Sequence, residues 1–274
     1  MNPTIGCDPE LFLFDNLLQR IVPAINKIGG SKHKPLVLKS GGMVQLDGTV
    51  LEFGTKPVLA VGTNFSDAIQ QSIDEIRTKL YNRFHGRYDL RCGALAGYHD
   101  DECQDLGSAL DVGCSPQFRF VNDISVTAME GVSQLSPKAI PIGGHIHFGL
   151  DCNLEITDPR LVRSVYRHAR SMSLLSYYRS THDLLRLSAM GMGSVAALRI
   201  KTYGYEFRNP SSLWLADRTI ADLIANRHTT TCQALKSGLT TYFGGDLFND
   251  KMRAIAKLSD KQHTKYQGTL PLDF

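Results

Sequence analysis

The sequence has no run of about 18 consecutive apolar residues, the length that a membrane-spanning helix needs. Its first residues carry neither the basic start nor the apolar stretch of a secretory signal. The net charge is only +3, from 30 basic and 27 acidic side chains. This small imbalance argues against a nucleic acid or a membrane surface as partner, so a cytoplasmic protein is expected.

Other familiar patterns are missing as well. The six cysteines include no C-x-x-C pair, which excludes a zinc knuckle and a dithiol redox motif. No glycine-rich nucleotide loop, G-x-G-x-x-G or G-x-x-x-x-G-K-[ST], follows a predicted strand. Because no repeat or Pro/Gly/Ser-rich linker divides the chain, we expect one domain over residues 1–274. Its motifs lie in residues 5–215, and residues 216–274 are predicted to be helical.

What the chain does contain is a hydrophobic fraction of 42%, enough for a large core. Strand-like stretches are predicted at residues 11–14, 43–53, 118–121, 140–150, 197–202 and 204–209. Asp47-Gly48 interrupts the second of them and is typical of a two-residue hairpin turn. Strands joined by hairpins and separated by helices predict an α+β fold with a mainly antiparallel sheet.

Three long segments have apolar residues at helical spacing, and helices are expected to cover one face of the sheet. Residues with capping or helix-starting tendencies stand at their beginnings. Asn64 or Ser66 is predicted to cap the first helix. Thr157 or Asp158, followed by Pro159, is predicted to open the second, and Asp217 to open the third.

Polar side chains occur at alternate positions inside three of the apolar strands, so the members of each pair face the same side of the sheet. The pairs are Asp8 and Glu10, His145 and His147, and Glu206 and Arg208, and a fourth strand carries the acid Glu52. Each pair alone has an ordinary explanation. The acids could be solvated at a strand end, the histidines could have hydrogen-bonded core or surface roles, and the glutamate and arginine could neutralise each other. Together they suggest a metal site, because a buried carboxylate is unfavourable by several kcal/mol unless it is paired or bound to a cation.

The ligand types narrow the chemistry. Carboxylates with one or two imidazoles suit Mg²⁺ or Mn²⁺, although an H-x-H pair with acids is also compatible with catalytic zinc or a two-metal hydrolase. Four basic residues lie close by in the sequence: Arg186, Arg199, Lys201 and Arg208. Since phosphoryl transfer from a nucleotide needs metal ions and guanidinium groups around the γ-phosphate, these cations favour a phosphate-handling enzyme.

Several motifs resemble one superfamily. Residues 6–15, GCDPELFLFD, are similar to the metal-binding strand of glutamine synthetase, and His145 in GGHIHFG stands where that family has its metal histidine. Glu206 and Arg208 resemble its Glu-x-Arg strand. The hairpin DGTVLEF and the segment YEFRNPSSLW look most like the phage-type carboxylate-amine ligases (type 2), a branch of the glutamine synthetase and γ-glutamylcysteine ligase superfamily.

The resemblance also has departures. Asp8 replaces the usual glutamate, Glu52 stands alone where glutamine synthetase offers two acids, and no β-grasp domain precedes the motifs. The family's ammonia site and its oligomer-dependent active site are therefore not carried over, while an oligomer stays compatible with the sequence. The implied location is cytoplasmic, in the host cell for a phage-encoded chain.

The resemblance implies an ATP- and Mg²⁺-dependent enzyme, with Mn²⁺ as an alternative ion, on a sheet of glutamine synthetase type. ATP would phosphorylate a carboxylate, and an amine would attack the acyl phosphate to form an amide. By the same resemblance, Glu10 and Glu52 bind the metal nearer the acceptor carboxylate. Asp8, His145 and Glu206 are then expected to hold the metal across the nucleotide phosphates.

The remaining roles also follow from the resemblance and the basic cluster. Arg208 and Arg199, with Glu52, are the expected catalytic groups, and Arg186 and Lys201 join them around the nucleotide. His147 is placed with these nucleotide-binding groups and either lines the substrate side or orients His145. The substrates are expected to be a small-molecule or peptide carboxylate and an amine.

Three other functions remain open at this point. A guanidine or other N-phosphotransferase could use the same sheet and stop after phosphoryl transfer. A metal-dependent hydrolase could use the histidines and acids without ATP. A family member without activity could serve as a binding or structural protein.

Overall fold

The computed structural model describes residues 3–103, 106, 117–121, 125–129, 139–150, 159–172, 180–190, 197–237, 247–266 and 270–272. Its strands are β1 (Thr4–Asp15), β2 (Arg20–Val22), β3 (Leu36–Val37), β4 (Met43–Asp47), β5 (Val50–Gly54), β6 (Val58–Leu59), β7 (Tyr88–Cys92), β8 (Leu95–Gly97), β9 (Gln117–Val121), β10 (Ser125–Met129), β11 (Ala139–Pro141), β12 (Gly144–Gly149), β13 (Ala197–Lys201), β14 (Gly204–Phe207) and β15 (Leu270–Pro271). Its helices are α1 (Asn64–Phe84), α2 (Asp100–Cys103), α3 (Pro159–Met172), α4 (Thr181–Met190), α5 (Arg218–Lys236) and α6 (Leu247–Tyr266), with a 3-10 helix at Ser212–Ala216.

Most strands join one large sheet in the order β10-β9-β13-β14-β12-β1-β5-β4-β3. All pairings between these strands are antiparallel. β1 also pairs with β2, β6 and β7, while β8 and β11 form a separate two-stranded sheet. The predicted α+β class with a mainly antiparallel sheet is confirmed.

The two faces of this sheet have different surroundings. On one face Leu11 of β1 and Ile146 of β12 belong to the same buried cluster as Ile69 of α1 and Ile224 of α5. Because side chains alternate along a strand, the two acids of β1, at sequence positions 8 and 10, point away from this core. Helices α1 and α5 therefore cover the face opposite the acids, and the prediction that helices cover one face of the sheet is confirmed.

The acid-bearing face is partly apolar as well. Phe12 and Phe14 follow Glu10 on the same side of β1, and they pack in a second buried cluster with Tyr98 and Ile142. On this face of β1 the polar side chains thus lie no further along the strand than Glu10. This arrangement places the candidate site at one end of the sheet face, beside an apolar boundary.

The predicted strands differ from the observed ones in length. β1 has 12 residues, so that Asp8 and Glu10 lie within the strand and are not at its head. The predicted strand at residues 140–150 is divided into β11 and β12, which pair in different sheets. The division occurs near Gly143, whose carbonyl accepts a hydrogen bond from the Glu10 amide at 2.8 Å. The Asp47-Gly48 hairpin between β4 and β5 is confirmed.

The helix starts agree in part with the predictions. Asp217 caps α5 by accepting a hydrogen bond from the Thr219 amide, and Pro159 is the first residue of α3. The two candidate caps before it, residues 157 and 158, lie outside the described residues. The cap predicted for α1 is wrong. Its N-cap is Thr63, whose hydroxyl donates to the Asp67 carboxylate at 2.7 Å.

The prediction that residues 216–274 are entirely helical needs one correction. α5 and α6 lie in this part, but β15 follows them and pairs with β7. β7 pairs with β1 along one edge and with β15 along the other. The Arg77 side chain also donates to the Leu272 carbonyl at 3.0 Å. The end of the described chain is therefore tied back to the strand beside β1.

Gly144 lies where β12 passes closely over the segment that follows β14. A Cβ atom there would lie 2.2 Å from the Ser211 carbonyl oxygen, and the Gly144 carbonyl already accepts a hydrogen bond from the Trp214 ring. We expect Gly144→Ala to lower the free energy of unfolding by about 1–3 kcal/mol, as overpacking does. Urea denaturation measures this.

Gly29 supplies the control, because a Cβ added there meets no atom within 4 Å. Gly29→Ala should change the unfolding free energy by less than about 0.5 kcal/mol. Equal stability of the two variants would contradict the close approach at Gly144.

Candidate functional site

Three of the predicted metal ligands come together at one point of the polar face. We call Asp8, His145 and Glu206 the histidine cluster, and their ligand atoms all lie within 4.8 Å of one another. The Nδ1 atom of His145 is 3.8 Å from Asp8 Oδ1 and 3.9 Å from Glu206 Oε1. Ligands at roughly 2.1 Å around an octahedral ion are separated by roughly 3.0 Å or 4.2 Å, so the spacing fits a shared cation.

Strand register explains why these residues meet. Asp8 lies directly opposite His145 in the β1–β12 ladder, and the Glu206 strand pairs with the other edge of β12. A Cβ atom on Gly143 would lie 2.4 Å from His145 Nε2, so glycine leaves room for the imidazole. The cluster is built by three adjacent strands whose side chains alternate in phase.

The charge state of His145 suits a metal ligand. Burial, together with the positive charge of Arg208, lowers the pKa of His145 to about 4, although Asp8 opposes the shift. The imidazole is therefore neutral near pH 7 and keeps a nitrogen lone pair, which is the form that coordinates metals.

A second group of acids lies beside the first. We call Glu10, Asp47 and Glu52 the carboxylate cluster, and their ligand oxygens also lie within 4.8 Å of one another. Burial raises the pKa of Glu52 to about 9, and the charges of Asp8, Glu10 and Asp47 add to the shift. Burial likewise raises the pKa of Glu10 to about 7. Without a cation these carboxyl groups therefore retain protons near pH 7, and a hard divalent cation would take the place of the protons among the three oxygen ligands.

Asp47 is a site residue that the sequence did not predict. It was assigned only to the Asp47-Gly48 turn, yet it lies two residues after Gln45, which pairs with Glu52 across β4 and β5. The same alternation that linked Asp8 with Glu10 could have placed Asp47 beside Glu52. It supplies a second acid next to Glu52, and Lys32 Nζ lies 2.7 Å from its carboxylate.

The predicted cations gather around Glu206. Its carboxylate contacts Arg208 and lies 3.2 Å from Arg199 and 3.3 Å from Lys201. Burial alone would raise the pKa of this acid, but Arg208, His145, Arg199 and His147 together lower it to about 2. Glu206 is therefore ionised and flanked by positive groups that could also reach phosphate oxygens.

Arg186 approaches the site from α4. Its guanidinium is buried and donates to the Asn209 carbonyl at 3.3 Å, next to Arg208 in the sequence. Its charge acts on Glu10 and lowers the pKa of His145. All four predicted basic residues thus lie near the two acid clusters.

His147 contacts Asp8 in the described structure. Its Nε2 atom lies 2.8 Å from Asp8 Oδ1, and its Nδ1 atom lies within hydrogen-bonding distance of the Tyr203 hydroxyl. Neither contact tests the predicted role near the nucleotide, which remains a prediction. Tyr203 was not predicted, because it stands in the turn between β13 and β14 outside the alternating pattern.

No protein-family model matches the chain, and no curated protein matches it. Among solved structures, the bifunctional glutathione synthetase from Pasteurella multocida aligns with a TM-score of 0.44 and 11% sequence identity. The alignment covers 95% of this chain and 40% of that one, so the chain spans well under half its length. At this score and identity the likeness assigns neither a family nor an activity.

Within the part of the chain that the structure describes, no helix is long and apolar enough to cross a membrane.

The carboxylate cluster predicts an unusual pH dependence of stability. Glu10 and Glu52 have pKa values of about 7 and about 9 in the folded protein and 4.5 as ordinary side chains. Between pH 7 and 9 the buried histidines with lowered pKa values, such as His145, are largely neutral in both states, and the folded state keeps carboxyl protons that the unfolded state has lost. Without metal, the free energy of unfolding should fall as the pH rises through this window, by up to about 1.4 kcal/mol per pH unit for each retained proton.

Urea denaturation in a chelator at pH 7, 8 and 9 measures this slope. Glu52→Gln is the matched control, since its amide cannot ionise, and its slope should be shallower. Stability that stays constant or rises from pH 7 to 9 in the wild-type protein would contradict the raised pKa values.

Proposed function

We propose that this protein is an ATP- and Mg²⁺-dependent ligase that joins a carboxylate to an amine. The observation that carries the proposal is the placement of two acid clusters on one sheet face with four cationic side chains around them. Acids alone would suit many metal sites. Arginines beside them are what transfer of a nucleotide γ-phosphoryl group needs.

In this proposal the two clusters have separate tasks. The histidine cluster would hold the cation that faces the nucleotide phosphates, and the carboxylate cluster, including Asp47, would hold the cation nearer the acceptor carboxylate. Mg²⁺ bound there would neutralise the repulsion between two anionic substrates and align them. Asp8 and Glu10 are two residues apart on one rigid strand, so β1 fixes the position of one cluster relative to the other.

The basic residues would bind the phosphates. Arg208 and Arg199 lie against the Glu206 carboxylate, which holds their guanidinium groups in place before any nucleotide arrives. Such preorganised donors stabilise charge on the transferring phosphoryl group. Lys201 would add positive charge at the rim of the site, and Arg186 would add it from α4.

The formation of an amide is supported by the motif resemblance. The carboxylate oxygen would attack the γ-phosphorus and release ADP, giving an acyl phosphate. The amine nitrogen would then attack the acyl carbon, forming the C–N bond and releasing phosphate. The expected substrates are a small-molecule or peptide carboxylate and a separate amine.

The experiment is ADP release in Mg²⁺ with panels of carboxylates and amines, supplied separately and together. A ligase releases ADP only when both are present and yields an amide. A phosphoramidate product would identify an N-phosphotransferase instead, and turnover without ATP would identify a hydrolase. Absence of turnover and of nucleotide binding would leave only a binding or structural protein.

A further inference from the structure

Tyr203 lies at the rim of the histidine cluster without being one of its ligands. It stands in the short turn that joins β13 to β14, and its ring is about two-fifths exposed. The hydroxyl is within hydrogen-bonding distance of His147 Nδ1, and the two ring centroids are 6.0 Å apart. The hydroxyl therefore makes its hydrogen-bonding contact with the site at His147.

The turn that carries Tyr203 is fixed to the strand that carries His147. The Tyr203 carbonyl accepts a hydrogen bond from the Leu150 amide at 2.8 Å, just beyond β12. Gly204 has a φ of +147°, and a Cβ atom there would lie 2.2 Å from the Phe148 carbonyl oxygen. The backbone thus approaches β12 as closely as glycine allows, which holds the phenol over the imidazole.

The second nitrogen of His147 faces an acid. Nε2 lies 2.8 Å from Asp8 Oδ1. A neutral imidazole carries its proton on one nitrogen, and a lone pair against a carboxylate oxygen would be repelled. The favourable arrangement puts the proton on Nε2, toward Asp8, and leaves Nδ1 to accept from the Tyr203 hydroxyl.

We propose that Tyr203 is a positioning residue that acts through His147 to fix the orientation of Asp8 in the histidine cluster. This inference rests on the proposed function, because it takes Asp8 as a cation ligand. The 2.8 Å contact between His147 Nε2 and Asp8 Oδ1 restricts how far the carboxylate can turn, which favours one orientation toward the cation. Groups that orient ligands in this way typically change metal affinity by about 10- to 100-fold when they are removed.

The test is a Mn²⁺ titration followed by electron paramagnetic resonance, which reads metal binding without substrates. Mn²⁺ binding that disappears in the Asp8→Asn variant is assigned to the histidine cluster. We expect Tyr203→Phe, which keeps the ring and removes the hydroxyl, to raise the dissociation constant at this cluster about tenfold. The carboxylate-cluster sites should be unaffected. Tyr81→Phe, at an exposed tyrosine of α1, is the matched control and should equal the wild-type protein.

A double-variant comparison separates positioning from a general structural effect. If Tyr203 acts through His147, adding Tyr203→Phe to His147→Ala should weaken Mn²⁺ binding no further than His147→Ala alone. A further, additive loss in the double variant would overturn the inference. If Tyr203→Phe binds Mn²⁺ as tightly as the wild-type protein, the inference is also overturned, but the proposed function stands. Absence of Mn²⁺ binding by the wild-type protein would overturn both.

Discussion

Replacing Arg208 with alanine is expected to lower ATP-dependent turnover about 1000-fold, the loss typical of an arginine that stabilises the transferring phosphoryl group. Arg208 is buried against Glu206, so its guanidinium is already in place when a nucleotide binds. Arg208→Lys keeps the charge but loses the planar fork, and an intermediate activity is expected. Single-turnover ADP release with an accepted carboxylate and amine measures the effect.

The control for this change is Arg253→Ala. Arg253 is a half-exposed arginine of α6 that pairs with Asp250, and it should have no effect on turnover. Thermal melting of both variants separates lost chemistry from lost folding, because Arg199 and Lys201 still neutralise Glu206 when Arg208 is gone. A folded Arg208→Ala protein with turnover within tenfold of wild type would refute the assignment.

Glu52→Gln should have opposite effects on the metal-free and the metal-bound protein. Without metal at pH 9, it removes a buried charge beside Glu10 and Asp47, so the free energy of unfolding should rise by on the order of 1 kcal/mol or more. With Mg²⁺ at a hundredfold excess over its dissociation constant, each cluster should add about 2.7 kcal/mol of stability in the wild-type protein. If Glu52→Gln weakens Mg²⁺ binding at the carboxylate cluster a hundredfold, that cluster would add only about 0.4 kcal/mol of stability at the same Mg²⁺ concentration.

Urea denaturation with chelator and with Mg²⁺ measures both effects in one series. Asp250→Asn removes a carboxylate whose side chain is 73% exposed and serves as the control, with no change expected in either condition. A Glu52→Gln protein that is less stable without metal, or that keeps the full Mg²⁺ response, would show that Glu52 is a structural residue.

The sequence was sufficient to pair the acids of β1 and the histidines of β12 on one side of their strands. Alternation along a strand depends only on local geometry, so Asp8 with Glu10 and His145 with His147 could be paired from their spacing. The order of the strands in the sheet could not be read in this way. That His145 lies opposite Asp8, and that Glu52 lies opposite Glu10, depends on register between segments far apart in the chain.

The residues that were missed share a physical reason. Asp47 fulfils the turn chemistry of Asp-Gly and also reaches Glu52, and only the first of these is a local property. Tyr203 meets His147 because β13 and β14 fold back against β12. β15 was read as helix because its pairing partner, β7, lies some 180 residues earlier in the chain. Pairing between strands decides all three, across one hairpin for Asp47 and between distant segments for the other two.

The central claim is that this sheet face binds a nucleotide through divalent cations. Calorimetric titration with a non-hydrolysable ATP analogue, in Mg²⁺ and in chelator, tests it most directly. We predict saturable binding in Mg²⁺ that disappears in chelator and in Asp8→Asn, and that Asp250→Asn preserves. Binding of equal strength with and without Mg²⁺, or no binding in either condition, would contradict the claim.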